Sequence, residues 1–357
     1  MPVAVNGIAG TFLVDTGSDC TIIDSAFARR LGLKTSGSVL LERNYSTEEV
    51  STVRADTVRI GSNTWTRVPL VPLDLSLIAR IQQAPIIGVV GTDILAAMRI
   101  RLSYSSGIAT VANGDAGGIR VALSKVRKRY FLPIRIGVSQ FTMLLDTGTN
   151  MTALSDSAWR SMPASWAPHG TVEGIRSSES PLGSLIACIP ELNLGQPFQG
   201  ELVLREYPLR VMPPSPDGTF ASAYFAGIVG GDILERFEVV LDLAHTSVYL
   251  KAQTGFSSDP YEFVTIGIQI LKTDADAFSI VAVWKDSPAE AAGVLVGDRI
   301  LSLNGHPSSD LSAEEFARQL HGPAGTPVLF EVERPPGRFV LRMKTRQLVC
   351  EAGPRRL

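Results

Sequence analysis

The sequence predicts a mainly β protein with two similar β lobes followed by a third, β-rich α+β domain. Three observations predict this class: an internal repeat, short stretches of alternating apolar residues in both copies, and a change of composition after residue 251. The chain has 357 residues, of which 45% are hydrophobic, so it can bury the cores of two or three domains. The expected boundaries are 1–112 for the first lobe, 113–130 for a connection, 131–252 for the second lobe, 253–260 for a linker, 261–346 for the third domain and 347–357 for a C-terminal tail.

The repeat begins around the tripeptide Asp-Thr-Gly, which occurs at Asp15-Thr16-Gly17 and again at Asp146-Thr147-Gly148. Each copy follows an apolar run and precedes a small hydroxyl residue. Val3 and Ile134 stand 12 positions before the two aspartates, and each of them follows a proline. Two carboxylates delivered by two matching segments predict one shared catalytic site.

The repeat also ends with matching segments. Val89-Val90-Gly91-Thr92-Asp93-Ile94-Leu95 in the first copy resembles Ile228-Val229-Gly230-Gly231-Asp232-Ile233-Leu234 in the second. The offset between the copies grows from 131 residues at the aspartates to 139 at these endings, so the second copy is the longer one. Self-similarity on this scale predicts two copies of a small domain rather than a solenoid.

Short alternating apolar stretches, such as residues 53–60, predict that each copy is a compact β lobe with few helices. Asp24 or Ser25 is expected to cap a helical turn that runs from Phe27 to Leu31. The side chains of Asp93 and Asp232 are expected to cap the segments that follow them.

Charge and composition give no indication of a nucleic-acid or membrane partner. A net charge of -2 gives no reason to expect nucleic acid or an anionic membrane. The sequence contains no apolar stretch of the roughly 18 residues that a transmembrane helix needs. The first residues lack the pattern of a signal peptide, so either the protein is made without one or an upstream segment is missing, and its localisation stays open.

The cysteines and histidines predict neither a metal site nor a nucleophilic triad. Cys20, Cys188 and Cys350 are widely spaced with no metal-ligand pattern, and the four histidines are scattered. We expect buried or incidental thiols, while a disulfide between Cys20 and Cys188 remains open. No cofactor is expected.

A pair of aspartates can carry out a well-defined reaction. Two carboxyl groups within hydrogen-bonding reach cannot both ionise easily, so they share one proton. The ionised group takes a proton from a water molecule held between them, and the protonated group donates to the substrate carbonyl. The pair therefore predicts water-mediated hydrolysis of an amide bond, with Asp15 and Asp146 as its catalytic residues.

The neighbours of the aspartates have predicted supporting roles. The threonine hydroxyls are expected to bond across the two loops, and the glycines to let backbone N–H groups approach a carboxylate. The hydroxyls of Ser18 and Thr149 are expected to donate to the carboxylates, which would extend the active pH range into acid. The predicted supporting residues are Thr16, Gly17, Ser18, Thr147, Gly148, Thr149, Gly91 and Gly230.

These motifs resemble the aspartic protease superfamily, and in particular bacterial proteins with two retropepsin-like lobes in one chain. The resemblance covers residues 2–112 and 131–251, and it implies a pepsin-like bilobal unit with peptidase activity. It also implies a hairpin flap over the substrate, near residues 41–50 in the first copy and 173–183 in the second, with Tyr45 as a candidate flap residue.

The third domain carries a different set of motifs after a turn-rich linker. It contains the segments SPAEAAG at 287–293, GDRILSLNG at 297–305 and LSAEEF at 311–316, with a predicted helix from Ala313 to Leu320. In this order the segments resemble a bacterial PDZ domain. The resemblance implies that a C-terminal peptide with an apolar last residue binds as an added strand, its carboxylate held by the loop of Ile266, Gly267 and Ile268.

The leading functional hypothesis is an aspartic endopeptidase whose PDZ domain binds chain termini to recruit protein or peptide substrates, or to regulate access. The first alternative is a PDZ interaction protein on catalytically silent lobes, and the second is a protease whose lobes pair between two chains. The chain's own terminus, Arg355-Arg356-Leu357, is a further candidate PDZ ligand.

Overall fold

The mainly β fold class is confirmed, with two barrel-like β lobes followed by a further β-rich domain. The structure is a computed structural model, and it describes residues 1–43, 46–82, 84–163, 171–175, 184–195, 202–215, 217–221, 225–253, 264–272, 277–320 and 322–350. Among these residues, no helix combines the length and the apolar character needed to span a bilayer.

Within its described residues, the first repeat forms nine strands and three short helices. Its strands are β1 (Pro2–Val5), β2 (Ile8–Val14), β3 (Ile22–Asp24), β4 (Lys34–Glu42), β5 (Thr47–Ile60), β6 (Asn63–Leu73), β7 (Ile86–Val90), β8 (Arg99–Ser103) and β9 (Ile108–Val111). Its helices are α1 (Ser25–Arg30), α2 (Ser76–Ile81) and α3 (Thr92–Leu95), with a 3-10 turn at Tyr104–Ser106. The predicted cap of α1 is confirmed, because the Asp24 carboxylate accepts from the N–H groups of Ala26 and Phe27, both at 2.9 Å.

The predicted connection at 113–130 contains regular structure. It forms β10 (Ile119–Ala122) and β11 (Ser124–Val126), and β12 already begins at Arg129. β10 pairs with the last strand of the second repeat at the edge of a sheet, so the connection is partly integrated into the hydrogen-bonded structure of the repeats.

The second repeat continues with strands and short helices in a similar order. Its strands are β12 (Arg129–Ile136), β13 (Ser139–Leu145), β14 (Ala153–Ser155), β15 (Thr171–Ile175), β16 (Ser184–Leu194), β17 (Leu202–Met212), β18 (Gly227–Val229), β19 (Phe237–Asp242) and β20 (Ser247–Ala252). Its helices are α4 (Asp156–Arg160) and α5 (Gly231–Leu234), with 3-10 turns at Thr219–Ala221 and Leu243–His245.

The C-terminal region forms the remaining elements. Its strands are β21 (Val264–Thr265), β22 (Ile268–Lys272), β23 (Phe278–Val283), β24 (Arg299–Leu303), β25 (His306–Pro307), β26 (Pro327–Arg334), β27 (Gly337–Lys344) and β28 (Arg346–Gln347). Its helices are α6 (Pro288–Ala291) and α7 (Ala313–Leu320), with a 3-10 turn at Ser308–Asp310. The bounds of α7 are those that the sequence predicted.

The chain divides into two compact units. The first comprises residues 1–161, 193–202 and 214–256, and the second comprises residues 162–192, 203–213 and 257–357. The first unit holds most of both repeats. The second unit combines the C-terminal region with β15 and with most of β16 and β17.

The sheets of the first unit bring the two repeats together. A seven-stranded sheet has the order β1-β2-β7-β3-β6-β5-β4, and β11-β12-β13-β18-β14 are consecutive neighbours in another. A five-stranded sheet, β10-β20-β19-β8-β9, takes strands from both repeats. The two repeats therefore share hydrogen-bonded structure within one unit, which holds both Asp-Thr-Gly loops in the same unit.

In the second unit, the C-terminal region has its own sheet and core. Its sheet has the order β22-β23-β24-β26-β27, with β25 paired to β24. A buried cluster that includes Phe278, Phe316 and Phe330 packs α7 against this sheet. β22 is an edge strand, because it pairs only with β23 among the strands that the structure describes.

The prediction for the cysteines is wrong for Cys188 and Cys350 and confirmed for Cys20. Cys188 of β16 and Cys350, which follows β28, form a disulfide, whereas Cys20 is a free, partly buried thiol. Both bonded cysteines belong to the second unit, and 162 residues separate them in the sequence.

Candidate active site

Two equivalent strand ends deliver the aspartates. β2 runs parallel to β7 with Val14 opposite Val90, and β13 runs parallel to β18 with Leu145 opposite Val229. The N–H of Asp15 donates to the Val90 carbonyl at 3.1 Å, and the N–H of Asp146 donates to the Val229 carbonyl at 3.0 Å. Each aspartate thus begins where a buried parallel strand pair ends.

The threonines that follow the aspartates bond across the two loops. The Thr16 hydroxyl donates to the Leu145 carbonyl at 2.5 Å, and the Thr147 hydroxyl donates to the Val14 carbonyl at 2.7 Å. Each hydroxyl oxygen also accepts from the backbone N–H of the other threonine, in both cases at 3.1 Å. Four reciprocal hydrogen bonds therefore hold the loops in one geometry.

The glycines allow the two carboxyl groups to lie side by side. A Cβ atom at Gly17 would overlap the carboxyl group of Asp146, and a Cβ atom at Gly148 would overlap that of Asp15. Each aspartate therefore occupies the space that a side chain on the opposite loop would fill. Any larger residue at either position would push the pair apart.

Backbone N–H groups, rather than hydroxyls, donate to the carboxylates. Asp15 Oδ1 accepts from Gly17 at 2.8 Å and from Ser18 at 3.1 Å, and Asp146 Oδ1 accepts from Gly148 at 2.9 Å. The prediction for the Ser18 hydroxyl is wrong, because it donates to the Cys20 carbonyl at 2.7 Å. The Thr149 hydroxyl accepts from the Met151 N–H at 3.4 Å, and it is the backbone N–H of Thr149 that lowers the pKa of Asp146.

The environment makes the two carboxyl groups unequal. The pKa of Asp146 is raised to about 8, mainly because the carboxyl group is buried and to a smaller extent because of the negative charge of Asp15. Burial also raises the pKa of Asp15, but N–H donation from Gly17 and Ser18 and a hydrogen bond with Asp146 oppose that rise. Of the two carboxyl groups, Asp146 is therefore the one that holds the shared proton more strongly.

A second pair of residues behind each loop was missed by sequence reasoning. The Asp93 carboxylate accepts from the Thr21 N–H at 3.0 Å and from its hydroxyl at 2.7 Å, while the Thr21 hydroxyl oxygen accepts from the Gly91 N–H at 3.2 Å. The second repeat reproduces this network with Thr152, Asp232 and Gly230 at 3.0, 2.6 and 3.0 Å.

These contacts correct the predicted capping roles. α3 and α5 begin after Gly91 and Gly230, so Asp93 and Asp232 lie inside the helices and their carboxylates reach the threonines instead. Gly91 is also needed for space, because a Cβ atom there would overlap the Cys20 carbonyl. The shared position of Thr21 and Thr152 after each Asp-Thr-Gly was the available signal in the sequence.

A cavity of about 270 Å³ lies beside the loops. Leu13 and Val14 line it on one side and Thr147, Gly148 and Asn150 on the other, together with the turn after β8. Burial raises the pKa of the Tyr104 hydroxyl in this turn, and the charge of Asp146 raises it further, so the hydroxyl stays protonated. The lining is mainly apolar, with a few polar groups.

The hairpin of β4 and β5 matches the predicted flap of the first repeat. Its tip is tied to the segment before β18, since the Asp217 carboxylate accepts from the Thr47 N–H at 2.9 Å and from its hydroxyl at 2.8 Å. The Thr219 N–H also donates to the Arg43 carbonyl at 2.8 Å. Tyr45 and most of the second predicted flap, at 176–183, lie outside the described residues.

The predicted carboxylate-binding loop of the third domain joins β21 to β22. Gly267 has a φ of +82°, and its N–H donates to the Thr265 hydroxyl at 3.2 Å. Ile266, which the resemblance places in this loop, has its side chain fully buried in the core. Ile268 is partly buried and packs against that core from the edge strand.

Comparison with known families agrees with both halves of this description. A family model described as aspartyl protease matches residues 1–94, and a model described as PDZ domain matches residues 279–334. The chain carries an aspartyl protease domain at its N-terminus and a PDZ domain near its C-terminus. The protease match covers the first loop, with Asp15, and the matching ending at Gly91.

Similar curated proteins are processing proteases. A carboxy-terminal-processing protease of Bartonella bacilliformis is 33% identical over 99 residues, which are 27% of this chain and 23% of the relative. A carboxyl-terminal-processing protease of Synechocystis is 34% identical over 93 residues, which are 25% of this chain and 21% of the relative. A carboxyl-terminal-processing protease of Picosynechococcus is 32% identical over 75 residues, which are 21% of this chain and 18% of the relative. The matching segments therefore span about a fifth of the length of these relatives.

Proposed function

We propose that the protein is an aspartic endopeptidase in which Asp15 and Asp146 form one catalytic dyad. The observation that carries the proposal is the reciprocal packing of the two loops, in which each carboxyl group lies against the glycine of the other. The four threonine hydrogen bonds support it, because they hold the pair in one geometry before substrate arrives.

The protonation of the pair supports an assignment of roles. The ionised Asp15 takes a proton from a water molecule that lies between the carboxyl groups, and this water attacks the carbonyl carbon of the scissile peptide. The protonated Asp146 donates a hydrogen bond to the carbonyl oxygen as negative charge develops there. No covalent intermediate forms, and the amine leaves after it receives a proton from the pair.

The substrate would enter between the β4–β5 hairpin and the two loops. The cavity beside Gly148 supports an apolar substrate side chain close to the dyad, since Leu13 and Val14 line it. The bonds from Thr47 to Asp217 must open to admit a polypeptide and can form again over it, which supports a flap role for this hairpin.

The PDZ domain is proposed to bind the C-termini of substrates or regulators. The free edge of β22 supports this, because an extended peptide can add there as a further strand. Ile268 and Ile270 pack against the domain core from this strand, which supports an apolar partner side chain. The processing of carboxyl termini named for the relatives is consistent with a partner that is recognised by its C-terminal end.

We also propose the domain limits expected from the sequence, together with a role for each supporting residue. We assign Thr16, Thr147, Gly17 and Gly148 to holding the dyad and Ser18 and Thr149 to backbone donation. Gly91 and Gly230 support the loops from behind, and Gly267 and Ile268 lie at the peptide end of the PDZ groove.

A cleavage assay on an unfolded protein substrate tests the catalytic part. We expect wild type to cleave and pepstatin, an inhibitor of aspartic proteases, to block it. Asp15→Asn and Asp146→Asn should each lose activity by at least about 10²-fold, the low end of the contribution of a positioned acid or base. Substantial activity in either single variant would refute a shared dyad.

Two further outcomes decide between the alternatives. Peptide binding by a folded wild-type protein that cleaves nothing would favour an interaction protein on silent lobes. A specific activity that rises with protein concentration would favour lobes paired between chains.

For the PDZ part, a peptide with a free terminal carboxylate should bind more tightly than its amide, and Ile270→Lys should weaken binding. Val296→Lys, at an exposed residue of another loop, is the matched control.

A further inference from the structure

Three side chains of the second unit converge at the disulfide. The sulfur atoms of Cys188 and Cys350 and a carboxylate oxygen of Glu206 all lie within 4.8 Å of one another. Cys188 is on β16, Glu206 is on β17, and Cys350 follows β28. We propose that, once the disulfide is reduced, these three residues bind a thiophilic divalent cation such as Zn²⁺.

The contact between the carboxylate and the sulfur favours the reduced form. Glu206 Oε2 lies 3.3 Å from Cys188 Sγ, which is within the range of a sulfur hydrogen bond. A disulfide sulfur has no proton to donate, whereas a thiol does. The oxygen therefore gains this donor only when Cys188 is reduced, and it becomes a ligand beside two thiolates when both protons leave.

The charges of the reduced site call for a cation. Two thiolates and one carboxylate would place three negative charges within 4.8 Å, and each charge disfavours ionisation of the others. The Cys188 side chain is fully buried, so water cannot stabilise its thiolate. A divalent cation compensates two of the three charges, and thiolate and carboxylate are both ligands that Zn²⁺ prefers.

The residues around these three side chains are mainly apolar and include two unsatisfied polar groups. Trp284 Nε1 and Gln347 Oε1 are buried without a hydrogen-bond partner among the described residues. The Gln347 amide donates to the Cys350 carbonyl at 2.6 Å, which places this side chain next to the site. Such unsatisfied groups are typical of positions that take up a water molecule or an ion. The apolar part of the frame is Ile186, Ala282, Trp284 and Val349.

A dithiol can act as the reductant that opens the disulfide between Cys188 and Cys350. Two electrons and two protons from the dithiol convert the disulfide into two thiols, and the dithiol becomes a disulfide. Binding of the cation then releases both thiol protons, so affinity should rise with pH. The three protein ligands leave a fourth tetrahedral position for water. In this way either a covalent bond or a cation joins β16 to the segment after β28.

Cobalt binding to the full-length chain tests the site directly. The protein is reduced with a dithiol, freed of it without air and titrated with Co²⁺ and then Zn²⁺. We expect one Co²⁺ per chain with a thiolate-to-cobalt absorption band, and displacement by Zn²⁺. Cys188→Ser and Cys350→Ser should lose the band, whereas Cys20→Ser, the matched control at the remaining cysteine, should keep it. Glu206→Gln should weaken Zn²⁺ binding by at least about tenfold.

Several outcomes would overturn the inference. Binding that survives Cys188→Ser, or a reduced and folded protein that binds no cation, would show an ordinary structural disulfide. Near-ultraviolet circular dichroism reports whether the reduced chain is folded. If it unfolds, Zn²⁺ should restore the native spectrum of wild type and Cys20→Ser but not of Cys350→Ser, and failure to restore wild type would also reject the site.

Discussion

The raised pKa of Asp146 predicts that Asp146→Asn makes the protein inactive and at the same time more stable at neutral pH. In the native state this carboxyl group keeps a proton until about pH 8, because burial and the charge of Asp15 oppose its ionisation. In the unfolded chain it loses the proton near its ordinary pKa of about 3.9. Folding at pH 7 therefore requires the uptake of a proton, and asparagine removes that requirement.

The expected size of the effect follows from proton linkage. The unfolded state binds fewer protons between about pH 4 and pH 8, so this group makes wild-type stability fall as pH rises through that window. Each pKa unit corresponds to about 1.4 kcal/mol, and about three units separate the unfolded value from pH 7, so the upper bound is about 4 kcal/mol. Asp146 is only partly buried as a residue, so screening by solvent reduces the expected gain to about 1–3 kcal/mol.

Urea unfolding at pH 7 and at pH 4 measures this gain. At pH 4 the unfolded carboxyl group also holds its proton about half the time, so the advantage of Asp146→Asn should shrink to a few tenths of a kcal/mol. Equal stability of the variant and wild type at pH 7, or a gain that persists unchanged at pH 4, would refute the assignment of the proton to Asp146.

An aspartate with the opposite shift provides the control. Hydrogen bonds from Thr47 and from the Gly218 N–H lower the pKa of the exposed Asp217 carboxyl group. Its ionised form is therefore favoured in the folded state, and its contribution is present above the ordinary pKa and lost as pH falls through the lowered one. Asp217→Asn should thus reduce stability at pH 7, the opposite sign to Asp146→Asn.

Three further predictions concern the same loops. Gly148→Ala should lower kcat by about 10²-fold, because the new methyl group displaces the Asp15 carboxyl group, whereas Gly337→Ala, where a Cβ atom meets open space, should leave cleavage unchanged. Thr21→Val should cost about 1–3 kcal/mol in urea unfolding, since it removes the buried donor to Asp93, and an unchanged midpoint would contradict the network. The cleavage rate should fall as pH rises through about 8, where the dyad loses its shared proton, and a rate that stays flat to pH 9 would contradict the general-acid role.

The sequence was most informative for contacts in which both partners belong to the repeated segments. Matching residues around Asp15 and Asp146 imply that the same strand end is built twice, and the threonine bonds then follow from two-fold pairing of the loops. The helix from Ala313 to Leu320 was equally legible, because its amphipathic pattern is local. Both features depend on spacing along the chain, which the sequence displays directly.

The misread features depend on contacts that spacing does not display. The Asp93 carboxylate had two possible uses, as a helix cap or as a partner for Thr21, and the choice depends on a contact between residues 72 positions apart in the sequence. The disulfide of Cys188 required that the segment after β28 return to β16, 162 residues distant. The Ser18 hydroxyl donates to the carbonyl of Cys20, two residues further along the chain, instead of to the Asp15 carboxylate.

The two-fold network around the dyad explains its geometry but cannot by itself explain its chemistry. A symmetric site would treat the two carboxyl groups alike, whereas hydrolysis needs one base and one acid. Their closeness resolves this, because two carboxylates at such a distance cannot both ionise and a single proton must reside on one of them. Backbone N–H groups act on both carboxyl groups, those of Gly17 and Ser18 on Asp15 and those of Gly148 and Thr149 on Asp146. The repeat thus provides two equivalent positions, and the single shared proton makes one residue the acid and the other the base.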